Sequence, residues 1–332
     1  MTGSISRAAV IGTTAWGTTL AVQLARNGIE VVLAARSAEE AVALEAAREH
    51  RERLPGVDFP PSLRVSTLDD AAAGAQLACM VVPSRSMTAN LHELRGRLPP
   101  DATVLSATKG IEVATGRRMS ELIEAELPGQ PLAVLSGPNL SREVAAGLPS
   151  TTVIASRAAV EPLRDAFHSR TFRVYTSTDV VGVELGGALK NVVAIAGGMV
   201  DHFQFGDNGK ASVLTRGLAE ITRLAVAAGG DPLTLQGLAG IGDLMATAYS
   251  PLSRNRRLGE LLAGGATLED ALETIGETAE GANTVPAALR LAERLGVDMP
   301  VATGLDAIMH RGVTPAAAIE ALLAREPTSE LR

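Results

Sequence analysis

The chain has 332 residues and a mass of 34.2 kDa, with 46% hydrophobic and 20% charged residues, a globular composition that excludes a disordered or fibrous protein and has length enough for two domains. With 30 lysines and arginines against 37 acidic residues the formal charge is −7, which argues against a nucleic-acid-coating surface but allows a local basic pocket. Cys79 is the one cysteine, so an intramolecular disulfide and a cysteine zinc site are excluded, and the five histidines lack metal-ligand spacing, so no metal is expected. The first residues, Met1 to Arg7, carry no charged n-region followed by a long apolar core, so no secretory signal is expected and the chain reads as cytoplasmic. The stretch 181–200 is the most membrane-like, but Glu184, Lys190 and its glycines suit a helix buried in protein better than a span.

Short apolar runs predict strands over 8–11, 30–35, 63–66, 77–82, 103–107, 132–136, 151–155 and 172–176. Helix-like segments fall between them at 16–27, 38–49, 87–98, 118–126 and 158–169. This alternation predicts a mostly parallel sheet covered on both faces. From Val181 to Leu323 no convincing strand occurs, only long segments rich in Ala, Leu and Gly. The expected fold is therefore α/β: a Rossmann-like dinucleotide-binding domain over 1–180, followed by an all-helical substrate domain over 181–332. The polar tail from Arg325 onward is expected to fray.

Six segments carry chemistry. The turn after the first strand, Gly12-Thr13-Thr14-Ala15-Trp16-Gly17, has the first and third glycines of a dinucleotide loop, with Thr14 in place of the second. An anion would sit at the amide-rich start of the following helix. The second strand ends in Arg36 rather than in the acid that takes a ribose 2′-hydroxyl; an arginine there accommodates a 2′-phosphate, or is simply a solvated strand end. Lys109 follows the fifth strand at the sheet edge where ligands bind, and Ser136-Gly137-Pro138-Asn139 follows the sixth. In VGVELGGALKNVVAIAGG (181–198), helical spacing puts Gly187, Lys190, Ala194 and Gly197 on one face, so Lys190 rises from small apolar surroundings where a lysine needs a partner or a function; the alternative is a lysine snorkelling to the surface. In the block 237–259, Asp243 and Thr247 lie one helical turn apart, and Ser253 reads as an N-cap before Arg254-Asn255-Arg256-Arg257, a good phosphate seat.

Taken together, these residues resemble the soluble bacterial NAD(P)-dependent glycerol-3-phosphate dehydrogenases from about residue 7 to 315. The carriers are GxxxWGTxLA from Gly12 to Ala21, Val-Pro-Ser at 82–84, Lys-Gly-Ile-Glu at 109–112, Ser-Gly-Pro at 136–138 and Glu184 to Asn191. Further carriers are Gly-Asp-Asn at 206–208, Thr-Arg-Gly-Leu-Ala-Glu at 215–220, the block 237–259 and Glu280-Gly281. The resemblance implies reversible NAD(P)H-dependent reduction of dihydroxyacetone phosphate to sn-glycerol 3-phosphate, the backbone of phospholipid synthesis. It implies Lys190 as general acid/base, with Lys109 and Asp243 beside it in the catalytic group. Lys109, Gly137, Asn139, Lys190, Asp243, Ser253, Arg254 and Asn255 would line the substrate site. Gly12, Ala15, Trp16, Gly17, Arg36, Lys109, Ser141, Arg254 and Glu280 would hold the cofactor, NAD(P)H. The family usually has Gly where Thr14 stands, Ser at Ala15, Ser or Thr at Asn139, and Phe at Leu140. The implied partners are small molecules and a second copy of the chain in a homodimer, with no nucleic acid and no membrane span. Two rival readings are a related two-domain dehydrogenase of another phosphorylated substrate or a 3-hydroxyacid, and a non-catalytic NAD(P)-sensing module. The first does not explain Ser-Arg-Asn-Arg-Arg at 253–257, and the second would be favoured by loss of Lys190 or Asp243, both of which are present.

Overall fold

A computed structural model describes residues 4–326 and 329; the leader reading at 1–3 and the tail reading at 327–328 and 330–332 fall outside them. The strands are β1 (Arg7–Ile11), β2 (Glu30–Ala34), β3 (Leu63–Ser66), β4 (Leu77–Met80), β5 (Thr103–Ser106), β6 (Leu132–Ser136), β7 (Ser150–Ser156) and β8 (Phe172–Ser177). They form one sheet in the order β3-β2-β1-β4-β5-β6-β7-β8, parallel throughout except between β6 and β7. Alternate residues go to opposite faces: Val10, Leu33, Cys79 and Leu105 join one apolar cluster, while Ala9, Val32, Met80 and Val104 join another. Burial on both faces is why these strands read as continuous apolar runs. The covering helices are α1 (Ala15–Arg26), α2 (Ala38–Ala47), α3 (Leu68–Ala72), α4 (Met87–Leu94), α5 (Met119–Glu126), α6 (Ser141–Ala145) and α7 (Glu161–Phe167).

Several helix ends differ from the sequence expectation, each for a local reason. The second helix stops at Ala47 because Arg48 turns left-handed (φ 52°), and α4 stops at Leu94 with Gly96 left-handed (φ 71°) two residues later. The seventh starts at Glu161, with Pro162 in its first turn, rather than at Ala158. The two five-residue helices α3 and α6 were not expected; they are too short to show a 3.6-residue period.

Beyond β8 the described residues are helical: α8 (Val180–His202), α9 (Gly206–Ala227), α10 (Pro232–Leu235), α11 (Asp243–Tyr249), α12 (Arg254–Ala263), α13 (Leu268–Ile275), α14 (Glu280–Leu295), α15 (Pro300–His310) and α16 (Pro315–Leu323). Helix α8 is the one described helix long and apolar enough to cross a membrane, yet that stretch is wholly buried inside the protein. It is the axle of the helical half. Gly198 lies against the Arg256 carbonyl and Gly259 against the Ile195 carbonyl, so α8 and α12 pack backbone to backbone where any Cβ would collide. A π turn, Leu238–Gly242, runs directly into α11 and sets the start of that helix beside α8. The chain turns back on itself between β1's neighbours β2 and β4, a switch point whose crevice opens at the carboxyl ends of β1 and β4.

Candidate active site

A cleft of about 1230 Å³ runs from that crevice into the helical half, lined by Gly12, Arg36 and Ser141 toward one end and by Lys109, Lys190 and Arg254 toward the other. Its lining carries seven arginines and two lysines against four carboxylates, in a chain of formal charge −7. Such a basic cleft concentrates anionic ligands.

At the β1 end, Gly12 adopts φ 114°, and a Cβ there would come within 2.6 Å of the Val81 carbonyl oxygen. Only glycine fits that turn. Gly17 packs equally tightly against the Gly12 carbonyl. Thr14 needs no glycine, since its backbone is extended (φ −69°, ψ 163°). Its hydroxyl caps α1, accepting from the Gly17 amide at 3.0 Å and donating to the Val81 carbonyl at 3.1 Å. A hydroxyl proton given to Val81 is not free for a phosphate, so the side chain substitutes for no amide contact; it ties β1 to β4 instead. Ala15 and Trp16 open α1 and line the cleft, with the Trp16 ring edge-on to Phe172. The Ser141 carbonyl accepts from Thr19 Oγ1. The glycine cradle, the first amides of α1 and the basic lining fit a dinucleotide.

Arg36 is 80% exposed at the end of β2, and its backbone and guanidinium both donate to Glu40. Glu40 also accepts from Thr13 Oγ1 at 2.9 Å. The acid that answers Arg36 thus comes from the first turn of α2, and it pairs with Arg36 and Thr13 rather than lining the cleft. On the opposite wall Glu280 opens α14 and accepts from the Ser84 hydroxyl at 2.7 Å; burial pushes its carboxyl above the usual range while Ser84 opposes the shift.

At the other end of the cleft Lys190 and Asp243 are buried. Lys190 Nζ donates to Asp243 Oδ1 at 2.6 Å and to Thr247 Oγ1 at 2.5 Å. Lys109 Nζ donates to Asp243 Oδ2 at 2.5 Å and to the Gly137 carbonyl at 2.8 Å. Asp243 thus bridges two lysines from behind, one carboxylate oxygen to each. An ammonium has three donors, so each lysine keeps one beyond these bonds, and both line the cleft. Small residues make this approach available: a Cβ on Gly187 would strike Ser136 Oγ at the end of β6, and one on Gly186 would meet the Ala239 carbonyl of the π turn at 2.6 Å. Burial pulls the Lys190 amine down to about 8; Asp243 pushes the other way, and Lys109 and Arg254 add to the fall.

The third wall comes from α12. Ser253 caps it, accepting from the Arg256 amide. Arg254 is half exposed and ion-paired to Glu277 at 2.9 Å. Asn255 is buried with both ends of its amide engaged, donating to Asn191 Oδ1 and accepting from the Gly281 amide. Asn139 donates to the Thr151 carbonyl and accepts from Thr152 Oγ1 while lining the cleft. Sequence reasoning singled out Asn255 but passed over Asn191, which lines the cleft directly after Lys190. It also passed over Glu277, which carries no motif signal.

Two family models match. That of the NAD-dependent glycerol-3-phosphate dehydrogenase N-terminus covers residues 7–161, and that of the C-terminus covers residues 179–320. Among curated proteins, the glycerol-3-phosphate dehydrogenase [NAD(P)+] of Streptomyces griseus is 45% identical over 331 residues, covering 98% of each chain. The Sphingopyxis alaskensis protein of that name, numbered 2, is 47% identical over 296 residues, covering 88% of this chain and 89% of its own. Among solved structures, the glycerol-3-phosphate dehydrogenase of Coxiella burnetii superposes with a TM-score of 0.93 at 34% identity, covering 97% of this chain and 99% of its own. With the basic dinucleotide cleft and the paired lysines already in place, these matches settle the assignment: the chain belongs to the NAD(P)-dependent glycerol-3-phosphate dehydrogenase family.

Proposed function

We propose that Lys190 is the general acid and base of a reversible hydride transfer between NAD(P)H and dihydroxyacetone phosphate, giving sn-glycerol 3-phosphate. The reaction follows from family membership, and the assignment of Lys190 rests on one observation: a buried lysine on the cleft wall whose amine sits near 8, bridged through Asp243 to a second lysine. Bound NAD(P)H supplies the hydride, held by the Gly12–Gly17 turn, Arg36, Ser141 and Glu280. In reduction, Lys190 as ammonium gives a proton to the alkoxide developing at C2, and Lys109 stabilises the same oxygen. In oxidation the neutral Lys190 amine takes the hydroxyl proton. Asp243 touches neither reactant in this reading; it orients both lysines and keeps Lys190 from losing its proton too early. An amine near 8 serves both directions close to neutral pH, where one at its reference value of about 10.4 would be a poor base.

Arg254, Ser253 and the first amides of α12 receive the substrate phosphate, for which Arg254 leaves Glu277. Asn139, Asn255 and Gly137 shape the substrate end, the last by holding Lys109. Residues 1–180 then form the dinucleotide-binding domain and 181–332 the substrate domain. The same reading expects a cytoplasmic homodimer that supplies phospholipid synthesis.

The test is NADPH and NADH oxidation with dihydroxyacetone phosphate beside a panel of 2-keto and 3-keto acids. Turnover of dihydroxyacetone phosphate far above the acids is expected. Turnover of none of them, with dinucleotide binding intact, would replace the reading with that of a sensing module.

A further inference from the structure

Between Lys109 and Arg118 the chain leaves the sheet and enters the helical half. Ile111 is 1% exposed within the helical core, and Val113 packs against that core. Arg290 and Arg294 of α14 donate to the carbonyls of Ala114 and Thr115. The segment ends at the start of α5, where it meets Glu184 of α8. Glu184 Oε1 accepts from the Ser120 amide at 2.8 Å, and Oε2 accepts from Ser120 Oγ at 2.6 Å and from Arg118 Nη1 at 3.0 Å. The carboxylate side chain is 2% exposed and the guanidinium 12%.

Each of the two lysines in the cleft hangs from one side of this joint. Lys190 lies about 9 Å farther along the α8 axis at 1.5 Å per residue. Lys109 stands at the entrance of the segment that Arg118 closes. We propose that Glu184 is a positioning residue, which fixes the register of Lys190 on α8 against Lys109 on the sheet-edge segment. An apolar contact would join the two halves without the desolvation cost of a buried ion pair, but would not fix a register. Three directional bonds to one carboxylate do. Glu184 touches no reactant in this arrangement, and the proposal rests on the reading that Lys190 and Lys109 act at the reacting carbon.

Glu184→Gln keeps the side chain's size but turns one acceptor into a donor facing donors. A displacement of about 1 Å between catalytic groups costs about 10²-fold, so kcat should fall about 10- to 100-fold while the NADPH Kd stays within about twofold. Lys190 is faced by Lys109, by Asp243 of α11 and by Arg254 of α12. Loosening Lys109 leaves Asp243 less opposed, so the alkaline limb of dihydroxyacetone phosphate reduction should move to higher pH. A merely structural clamp would lower thermal stability and leave kcat and the limb where they were in the folded enzyme. That result with Glu184→Gln overturns the proposal. If Glu184→Gln fails to fold, Ser120→Ala decides, since it removes one donor and keeps the backbone amide: a fall in kcat at unchanged NADPH Kd supports the proposal, and native kcat overturns it. Lys190→Ala, run in parallel, separates the two ideas. Native turnover there sinks the acid–base reading itself, whereas a dead Lys190→Ala beside a native Glu184→Gln sinks only the positioning role.

Discussion

The Lys190 end and the Arg36 end of the cleft use the same kinds of charge under opposite conditions. Lys190 and Asp243 have side chains 9% and 2% exposed, whereas Arg36 is 80% exposed; Arg254, on the cleft wall near Lys190, is 47% exposed and behaves as Arg36 does. Opposite charges at 4 Å attract by about 1 kcal/mol in bulk water and several times that near a protein interior. At the dry end burial pulls the Lys190 amine from its ordinary value down to about 8, with Asp243 opposing the fall and Lys109 adding to it. At the wet end, solvent and salt screen the ion pairs. The difference sorts the side chains by what they can do: buried ones set proton affinity, and exposed ones select and hold anionic groups while exchanging partners readily.

The largest effect is expected where the cleft is driest. Lys190→Ala should lower kcat by about 10²- to 10⁴-fold, the contribution of a general acid–base group, with NADPH titrations unchanged. Near-native turnover would remove the contrast between the two ends. Next comes the phosphate seat. Arg254→Lys keeps the charge but loses the planar fork, so KM for dihydroxyacetone phosphate should rise about 10- to 100-fold, the equivalent of about 1.5–3 kcal/mol. Unphosphorylated dihydroxyacetone should remain a poor substrate for both forms, and an unchanged KM would show that Arg254 serves something else.

Two smaller effects concern side chains on the solvent-accessible walls of the cleft. Thr14→Gly removes a helix cap and the bond to Val81 but no ligand contact, so the NADH and NADPH Kd values should change by less than about tenfold, or 1.4 kcal/mol. Tight binding restored by Thr14→Gly to a native protein that binds neither dinucleotide would contradict the geometry around Val81. Glu277→Gln frees Arg254 from an exposed ion pair worth about 0.2–1 kcal/mol, so KM for dihydroxyacetone phosphate should fall by no more than about fivefold. A rise would mean that Glu277 helps to hold substrate.

The dry end was the more legible of the two in the sequence. A lysine amid ELGGALKN is conspicuous because lysines are rarely buried without a purpose, and the Asp243–Thr247 spacing already put two polar groups on one helix face. The central strands β1, β2, β4 and β5 were legible for a related reason: buried on both faces, they read as largely apolar runs. What stayed hidden depends on contacts between distant segments. The partners of Glu184 lie 64 and 66 residues earlier in the chain. Glu40 answers Arg36 from a helix rather than a strand end, and the Thr14 hydroxyl is used up on Val81, 67 residues away. The balance of burial, Asp243 and Lys109 on Lys190 likewise needs distances, which no spacing rule supplies.

The central claim, that Lys190 is poised by its dry surroundings to move the substrate proton, is tested most directly by the pH dependence of kcat/KM in both directions. This ratio reports the free enzyme, whose Lys190 amine sits at about 8. Oxidation of glycerol 3-phosphate needs the neutral amine, so its kcat/KM should rise through about pH 8; reduction of dihydroxyacetone phosphate needs the ammonium, so its kcat/KM should fall through the same pH. Mirrored limbs that meet near that value are the predicted result. Two profiles that are flat from well below to well above it, or that bend together in the same direction, would contradict the account.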